Sequence, residues 1–260
     1  MRKFAIIYSS DLLNDLQTLK IINEIKEHVD GIKLGLPIMI QYGEDIIKKI
    51  KEMTNKPLIA DFKVADIGFY KNNQWSGSNA KIIEKAYEIG FEYITFHPIV
   101  GISSTIECVT KAHEIGMKVL AIPNMTGVGS ELIYNQPINS EHIKEIILQN
   151  NLNSKIVEDC ITTTELILNI CEELKVDGYI GPANKLDIIK KYRKITDKPI
   201  FSPGIGRHNN NKEILDQINE LKLVCGDNCA MIIGSTIYSS TNPIRTIKNI
   251  SEIRNKVMGE

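Results

Sequence analysis

Short, continuously apolar runs alternate along the chain with longer stretches in which apolar residues recur at three- and four-residue steps. The apolar runs are FAIIYS (4–9), GIKLG (31–35), PLIADFK (57–63), EYITFHP (92–98), KVLAIPN (118–124), GYIGPA (178–183), PIFSPG (199–204) and AMIIGS (230–235). Unbroken hydrophobicity of this kind suits strands covered on both faces. Residues 16–29, 43–53, 81–90, 105–116 and 185–195 carry the period of helices packed by one face, and glycine ends two of them, at Gly90 and Gly116. Eight strands alternating with about eight helices predict an α/β fold, a (β/α)8 TIM barrel forming a single domain over residues 1–260. A doubly wound open sheet is the competing arrangement. It calls for a glycine-rich turn after the first strand, where SSDLLND stands instead.

Two segments exceed the barrel plan and read as insertions. GFYKNNQWSG (68–77) lies between the third strand and its helix, and residues 127–154 lie after the fifth strand. Both follow strand C-termini, the face on which barrels carry their sites, which points to lids or substrate contacts. Trp75, set among polar residues, is a candidate to stack on a base or to meet a second subunit.

Composition narrows the classes. With 43% hydrophobic and 24% charged residues, 260 residues are enough for a large core and unlike a disordered chain. A net charge of -1 provides no basic field for nucleic acid or an anionic membrane surface. No apolar run approaches the roughly 18 residues that span a bilayer. The run after Arg2 and Lys3 is ended by Ser9, Ser10 and Asp11, so it reads as a first strand rather than a signal peptide. Cys108, Cys160, Cys171, Cys225 and Cys229 are odd in number and scattered, as expected of reduced thiols in the cytoplasm. Cys225 and Cys229 are a close pair with no second cluster to complete a zinc site, and read as one loop thiol and one strand thiol.

The chemistry concentrates in ADFKVAD. Residues two apart on a strand share a face, so Asp61 and Lys63 point together to the barrel mouth, and Asp66 lies just beyond. Lys33 stands in the neighbouring strand GIKLG and Asp11 ends the first, which gives an alternating set of Lys33, Asp61, Lys63 and Asp66 with Asp11 on the rim. Charges at matching depth on adjacent strands cost desolvation that apolar residues would avoid. A lysine held between carboxylates is an acid and a cation rather than an imine-forming amine. Such a set suits proton donation to a carbanion after loss of a carboxylate. The same carboxylates are also able to hold Mg²⁺ beside an enediolate, and the residue chemistry leaves both open.

In order along the chain, SSDLL, GIKLG, ADFKVADI, SPGIG and IIGSTIY resemble the orotidine 5′-phosphate decarboxylase family. The D-x-K-x-x-D spacing is shared with the wider superfamily, and the fuller FKVADI is closer to the orotidylate enzymes. The resemblance implies a lyase of pyrimidine (UMP) biosynthesis: a homodimeric barrel converting orotidine 5′-monophosphate (OMP) to UMP without cofactor or metal. Lys63 would match the lysine that protonates C6, Asp61 the carboxylate set against the substrate's own, and Lys33 would complete the network. Asp66 would come from the partner subunit to the ribose hydroxyls, and Asp11 would match a ribose-contacting aspartate. Thr126 would stand where the family reads the pyrimidine edge with Ser. Ser78 and Asn79 align with a Thr-Asn pair, and Ile67, Pro203 and Gly204 fall at substrate-binding positions.

The chain departs from the family at the phosphate. The family uses a Gln after SPG-x-G and an Arg in G-R-S-I, where this chain has Arg207-His208 and Gly234-Ser235-Thr236. The backbone of Gly206, Gly234 and Ser235, with the charge of Arg207, is the candidate substitute. Two alternatives follow. One is a paralog acting on another nucleotide, nucleoside or sugar phosphate, including Mg²⁺-dependent hexulose-phosphate chemistry; the other is a non-catalytic nucleotide-binding barrel. His97 and Pro98, closing the fourth strand, read as pocket wall.

Overall fold

The computed structural model describes residues 2–158, 160–206 and 212–260. Eight parallel strands form the central ring: β1 (Ala5–Ser10), β2 (Gly31–Gly35), β3 (Leu58–Val64), β4 (Tyr93–Phe96), β5 (Lys118–Ala121), β6 (Gly178–Ile180), β7 (Ile200–Pro203) and β8 (Cys229–Ile233). Each pairs with its neighbour in sequence, and β8 returns to β1 to close the barrel. The outer helices are α1 (Asp15–Ile25), α2 (Asp45–Met53), α3 (Ser78–Glu88), α4 (Ile102–Ile115), α5 (Thr163–Glu173), α6 (Leu186–Arg193), α7 (Ile214–Cys225) and α8 (Pro243–Met258). One helix thus follows each strand, as the alternation of patterns predicts. The sequence pattern misses a further short helix, Leu36–Tyr42, which begins directly at the end of β2 with Pro37 in its first turn.

The core has two layers for a simple geometric reason. Residues at two-residue steps point into the barrel, where Ala5, Ile7, Ile59, Tyr93, Leu120, Phe201, Ala230 and Ile232 pack on one another. The alternate set, including Phe4, Ile6, Tyr8, Ile32, Leu34 and Ala60, faces outward against helix residues such as Ile22, Ile47, Ile83 and Ile250. Each buried aliphatic side chain contributes about 1.5–3 kcal/mol over an exposed one. Near the top the inward rows turn polar, with Ser9 beside Lys33 and Gly35 beside Asp61.

The two long segments both have structure. Residues 70–75 form a two-stranded hairpin, Tyr70–Lys71 with Gln74–Trp75. Its turn residues Asn72 and Asn73 have φ of 52° and 60°, as a two-residue hairpin turn needs and asparagine tolerates. After β5, the chain forms helices Glu131–Tyr134 and Ser140–Gln149. Beneath them Ile147, Leu152, Val157 and Ile170 make a small core of their own. No described helix is long and apolar enough to cross a membrane.

Candidate active site

Asp61, Lys33 and Lys63 meet at the mouth of the barrel. Asp61 Oδ1 accepts from Lys63 Nζ at 2.8 Å, and Oδ2 accepts from Lys33 Nζ. Lys33 is only 7% exposed, so its ammonium is a buried charge that depends on Asp61 for compensation. Burial alone would raise the pKa of Asp61. Lys33 and then Lys63 outweigh it and hold the carboxyl at about 2, below an ordinary 3.8.

Simple alternation is not what aims Lys63. The β3–β4 ladder pairs Ala60 with Ile94 and Val64 with Phe96, so β3 bulges between them. Lys63 itself takes φ of 50°, the left-handed region where a side chain is strained. Thr95 sits opposite the bulge and stabilises it. Its hydroxyl accepts the Lys63 N–H at 3.0 Å and donates to Asp61 Oδ1 at 3.1 Å. The sequence offered no sign of Thr95 beyond its place in an apolar run. The displaced Phe62 turns away from the mouth and packs edge-on against Phe91, with ring centroids 5.5 Å apart.

These charges line a cavity of about 220 Å³ with Thr126, Pro203, Ile122, Ile180 and Ile232 among its walls. Apolar walls around one charged cluster are the usual composition of a small-molecule site. Asn124 and Met125 separate it from a second, more polar space of about 510 Å³ bordered by Ser130, Glu131 and Lys185. Other expected residues stand elsewhere. Asp11 lies exposed just past β1, near Gly35. His97 is not part of the wall: burial, then the charge of Lys63, lowers its pKa, and its buried Nδ1 has no partner among the described residues. Pro98 lines a separate apolar space of about 200 Å³ beneath the Ser140–Gln149 helix.

Asp66 does not join Lys33, Asp61 and Lys63 within its own chain. Its carboxylate is exposed, held by the Ser78 side chain and by the N–H of Ile67 at 2.8 Å, and both bonds lower its pKa. The backbone beneath it is fixed. Asn79 accepts the Asp66 N–H at 2.9 Å and returns its own Nδ2 to the Asp66 carbonyl at 2.8 Å, where Ser104 Oγ also donates. The hairpin is fastened to the same group by Glu107, whose carboxylate is fully buried. It accepts from Gly77 N at 2.6 Å, Asn79 Nδ2 at 3.0 Å and Phe69 N at 3.4 Å. Gly68 is required where the hairpin leaves: a Cβ there would lie 2.3 Å from the Ser103 carbonyl. On the hairpin, Trp75, the single tryptophan of the chain, packs against Tyr70 at 5.0 Å between ring centroids.

The loops after β7 and β8 abut one another. Gly206 has φ of 98°, and a Cβ on it would lie 2.0 Å from Thr236 Oγ1. Its N–H donates to Gln217 Oε1 at 2.7 Å, and Gln217 Nε2 reaches the Lys212 carbonyl at 2.8 Å. The expected use of the Gly206 N–H for a phosphate is therefore corrected: a buried glutamine already occupies it. Gly204, Gly234 and Ser235 border these loops outside the 220 Å³ cavity. Arg207 and His208 lie outside the described residues. Cys225 is not a loop thiol: it is buried at the end of α7 and accepts from Arg193 Nη2 at 3.3 Å, while Cys229 is buried at the start of β8.

Comparison with known proteins gives one consistent result. A family model described as "Orotidine 5'-phosphate decarboxylase / HUMPS family" matches residues 5–250. The orotidine 5'-phosphate decarboxylase of Methanocaldococcus jannaschii is 28% identical over 246 residues, covering 95% of this chain and 96% of that protein. That of Methanococcus maripaludis (strain DSM 14266) is 30% identical over 240 residues, covering 92% and 91%. The crystal structure of the M. jannaschii enzyme complexed with the inhibitor BMP matches with a TM-score of 0.73 and 28% identity, covering 97% of this chain and 99% of that one.

Proposed function

The chain belongs to the orotidine 5'-phosphate decarboxylase / HUMPS family, and from that premise we propose that it converts orotidine 5′-monophosphate to UMP as a cytoplasmic lyase of pyrimidine biosynthesis. The observation that carries the reading is the Lys33–Asp61–Lys63 contact at an apolar cavity. A carboxylate kept ionised by two ammonium groups sets a fixed negative charge beside the substrate carboxylate. Departure of CO₂ relieves that repulsion and leaves a carbanion at C6, which Lys63 stabilises and then protonates. Both Asp61 oxygens already accept from ammonium groups, which favours this proton chemistry over a carboxylate–Mg²⁺ site. Thr126 supplies a hydroxyl to the pyrimidine edge, while Asp11 contacts the ribose at the rim.

The reading includes a homodimer in which Asp66 of each subunit serves the ribose hydroxyls in the other's cavity. The outward carboxylate supports it, and so do the exposed apolar residues that adjoin it, Ile67 at 70%, Phe69 at 48% and Tyr70 at 57%. Such a row is common where a second protein surface covers it. Ser78 orients Asp66 in that arrangement. Gly234 and Ser235 remain the proposed backbone donors for the phosphate, and Arg207 the proposed source of positive charge.

The test is release of CO₂ and UMP from OMP in the presence of EDTA. Turnover is expected to be unaffected by the chelator and to fall by about 10³-fold or more in Lys63→Ala. Normal turnover by that variant would remove Lys63 from its role, and strict metal dependence would move the chain to the sugar-phosphate branch of the superfamily.

A further inference from the structure

The wall between the two mouth cavities is formed by Asn124 and Met125. Asn124 is 9% exposed, which makes it a nearly buried amide that still borders the ligand space. Its Nδ2 donates to Thr164 Oγ1 at 2.9 Å, and Thr164 Oγ1 donates to the Tyr134 carbonyl at 2.9 Å. A hydroxyl has one proton, and here it is committed to Tyr134. The Thr164 oxygen can then only accept from the amide. Turning the amide over would set Oδ1 against that oxygen, acceptor against acceptor, so its orientation is fixed. Oδ1 has no hydrogen-bond partner among the described residues, so with Nδ2 committed it is the polar atom that Asn124, which borders both cavities, has left to offer a ligand.

We infer that Asn124 is the specificity-determining residue of this pocket, a locked acceptor that requires a ring N–H from the ligand. The inference rests on the pyrimidine-nucleotide reading above. Thr126, two residues on, has a hydroxyl that donates or accepts with equal ease and so cannot discriminate by itself. A locked carbonyl does discriminate. Uracil and orotate carry an imide N–H between two carbonyls and satisfy it. Cytosine has an unprotonated ring nitrogen at that position, so two lone pairs would face each other in a site with little water to separate them. Segment 127–154 thereby acquires a role in selection, since its Tyr134 carbonyl is the far end of the relay that holds the amide.

Calorimetric titration with UMP and with CMP tests this on the wild type, Asn124→Leu and Thr164→Val, with circular dichroism and thermal melts to establish folding. The wild type is expected to prefer UMP by about 10- to 100-fold. Asn124→Leu is expected to weaken UMP about tenfold and bring the two nucleotides close to parity. Thr164→Val keeps the amide but frees it to turn, so CMP should tighten while UMP weakens less. A merely structural Thr164 would not produce that gain for CMP. An unchanged UMP preference in both folded variants overturns the assignment of Asn124 and leaves the pyrimidine reading intact. A wild type that binds neither nucleotide overturns that reading, and this inference with it.

Discussion

Lys63 holds a conformation that few lysines adopt, and the reason is positional. Its φ of 50° follows from the bulge in β3, which lets the side chain turn back to Asp61 at the barrel mouth. Non-glycine residues in this region carry strain of about 1–2 kcal/mol. Lys63→Ala removes the ammonium and keeps the strain, whereas Lys63→Gly removes both. After allowing for the larger unfolded-state entropy of glycine, the Gly variant should be about 0.5–1 kcal/mol more stable than the Ala variant in urea unfolding, with both inactive. Equal stabilities would mean that the backbone at residue 63 is relaxed. Asp61 and Lys33 were legible in the sequence because each places a charge on an otherwise apolar strand, where its desolvation must be offset by an opposite charge nearby. The bulge was not, since nothing in LIADFKV breaks the run, and Thr95, which supports it from the facing strand, reads as an ordinary β-branched strand residue.

At the scale of elements, the joint between the β3 loop, the hairpin and α4 matters most. Glu107 lies on the helix TIECVTKAHEIG, where its polar character suggests a solvated position, yet it is fully buried. The burial arises because the hairpin folds over it and, with Asn79, supplies three N–H donors, a long-range event that helical periodicity cannot report. Replacing it, as in Glu107→Leu, takes away the acceptor of the Gly77 and Phe69 N–H groups, at about 1–3 kcal/mol each. The expected result is local. Amide exchange at Phe69 and Gly77 should accelerate by about 100-fold while the barrel strands stay protected. Decarboxylation should slow as well, because Asn79 connects Glu107 to the Asp66 backbone. Unchanged exchange would show that the hairpin holds itself in place through its own turn and stack. The boundaries of segment 68–77 were legible from its composition; its hairpin fold required recognising Asn72-Asn73 as a turn pair.

For the whole molecule, the barrel was the most readable feature. Its strands are covered on both sides, so each had to be a nearly continuous apolar run, and the eight runs coincide with β1 to β8 within a few residues. The proposed division of labour between two subunits is testable at this scale. Asp66→Ala and Lys63→Ala should each be inactive alone. Exchanging subunits between them makes about half the dimers mixed, each with one intact site, so about a quarter of the wild-type activity should return. No recovery would mean that Asp66 acts within its own chain. The hairpin that accompanies Asp66 brings a separate practical consequence. Because Trp75 is the chain's single indole and lies against Tyr70, tryptophan emission comes from the rim alone, which gives the native protein a label-free optical reporter of this arm.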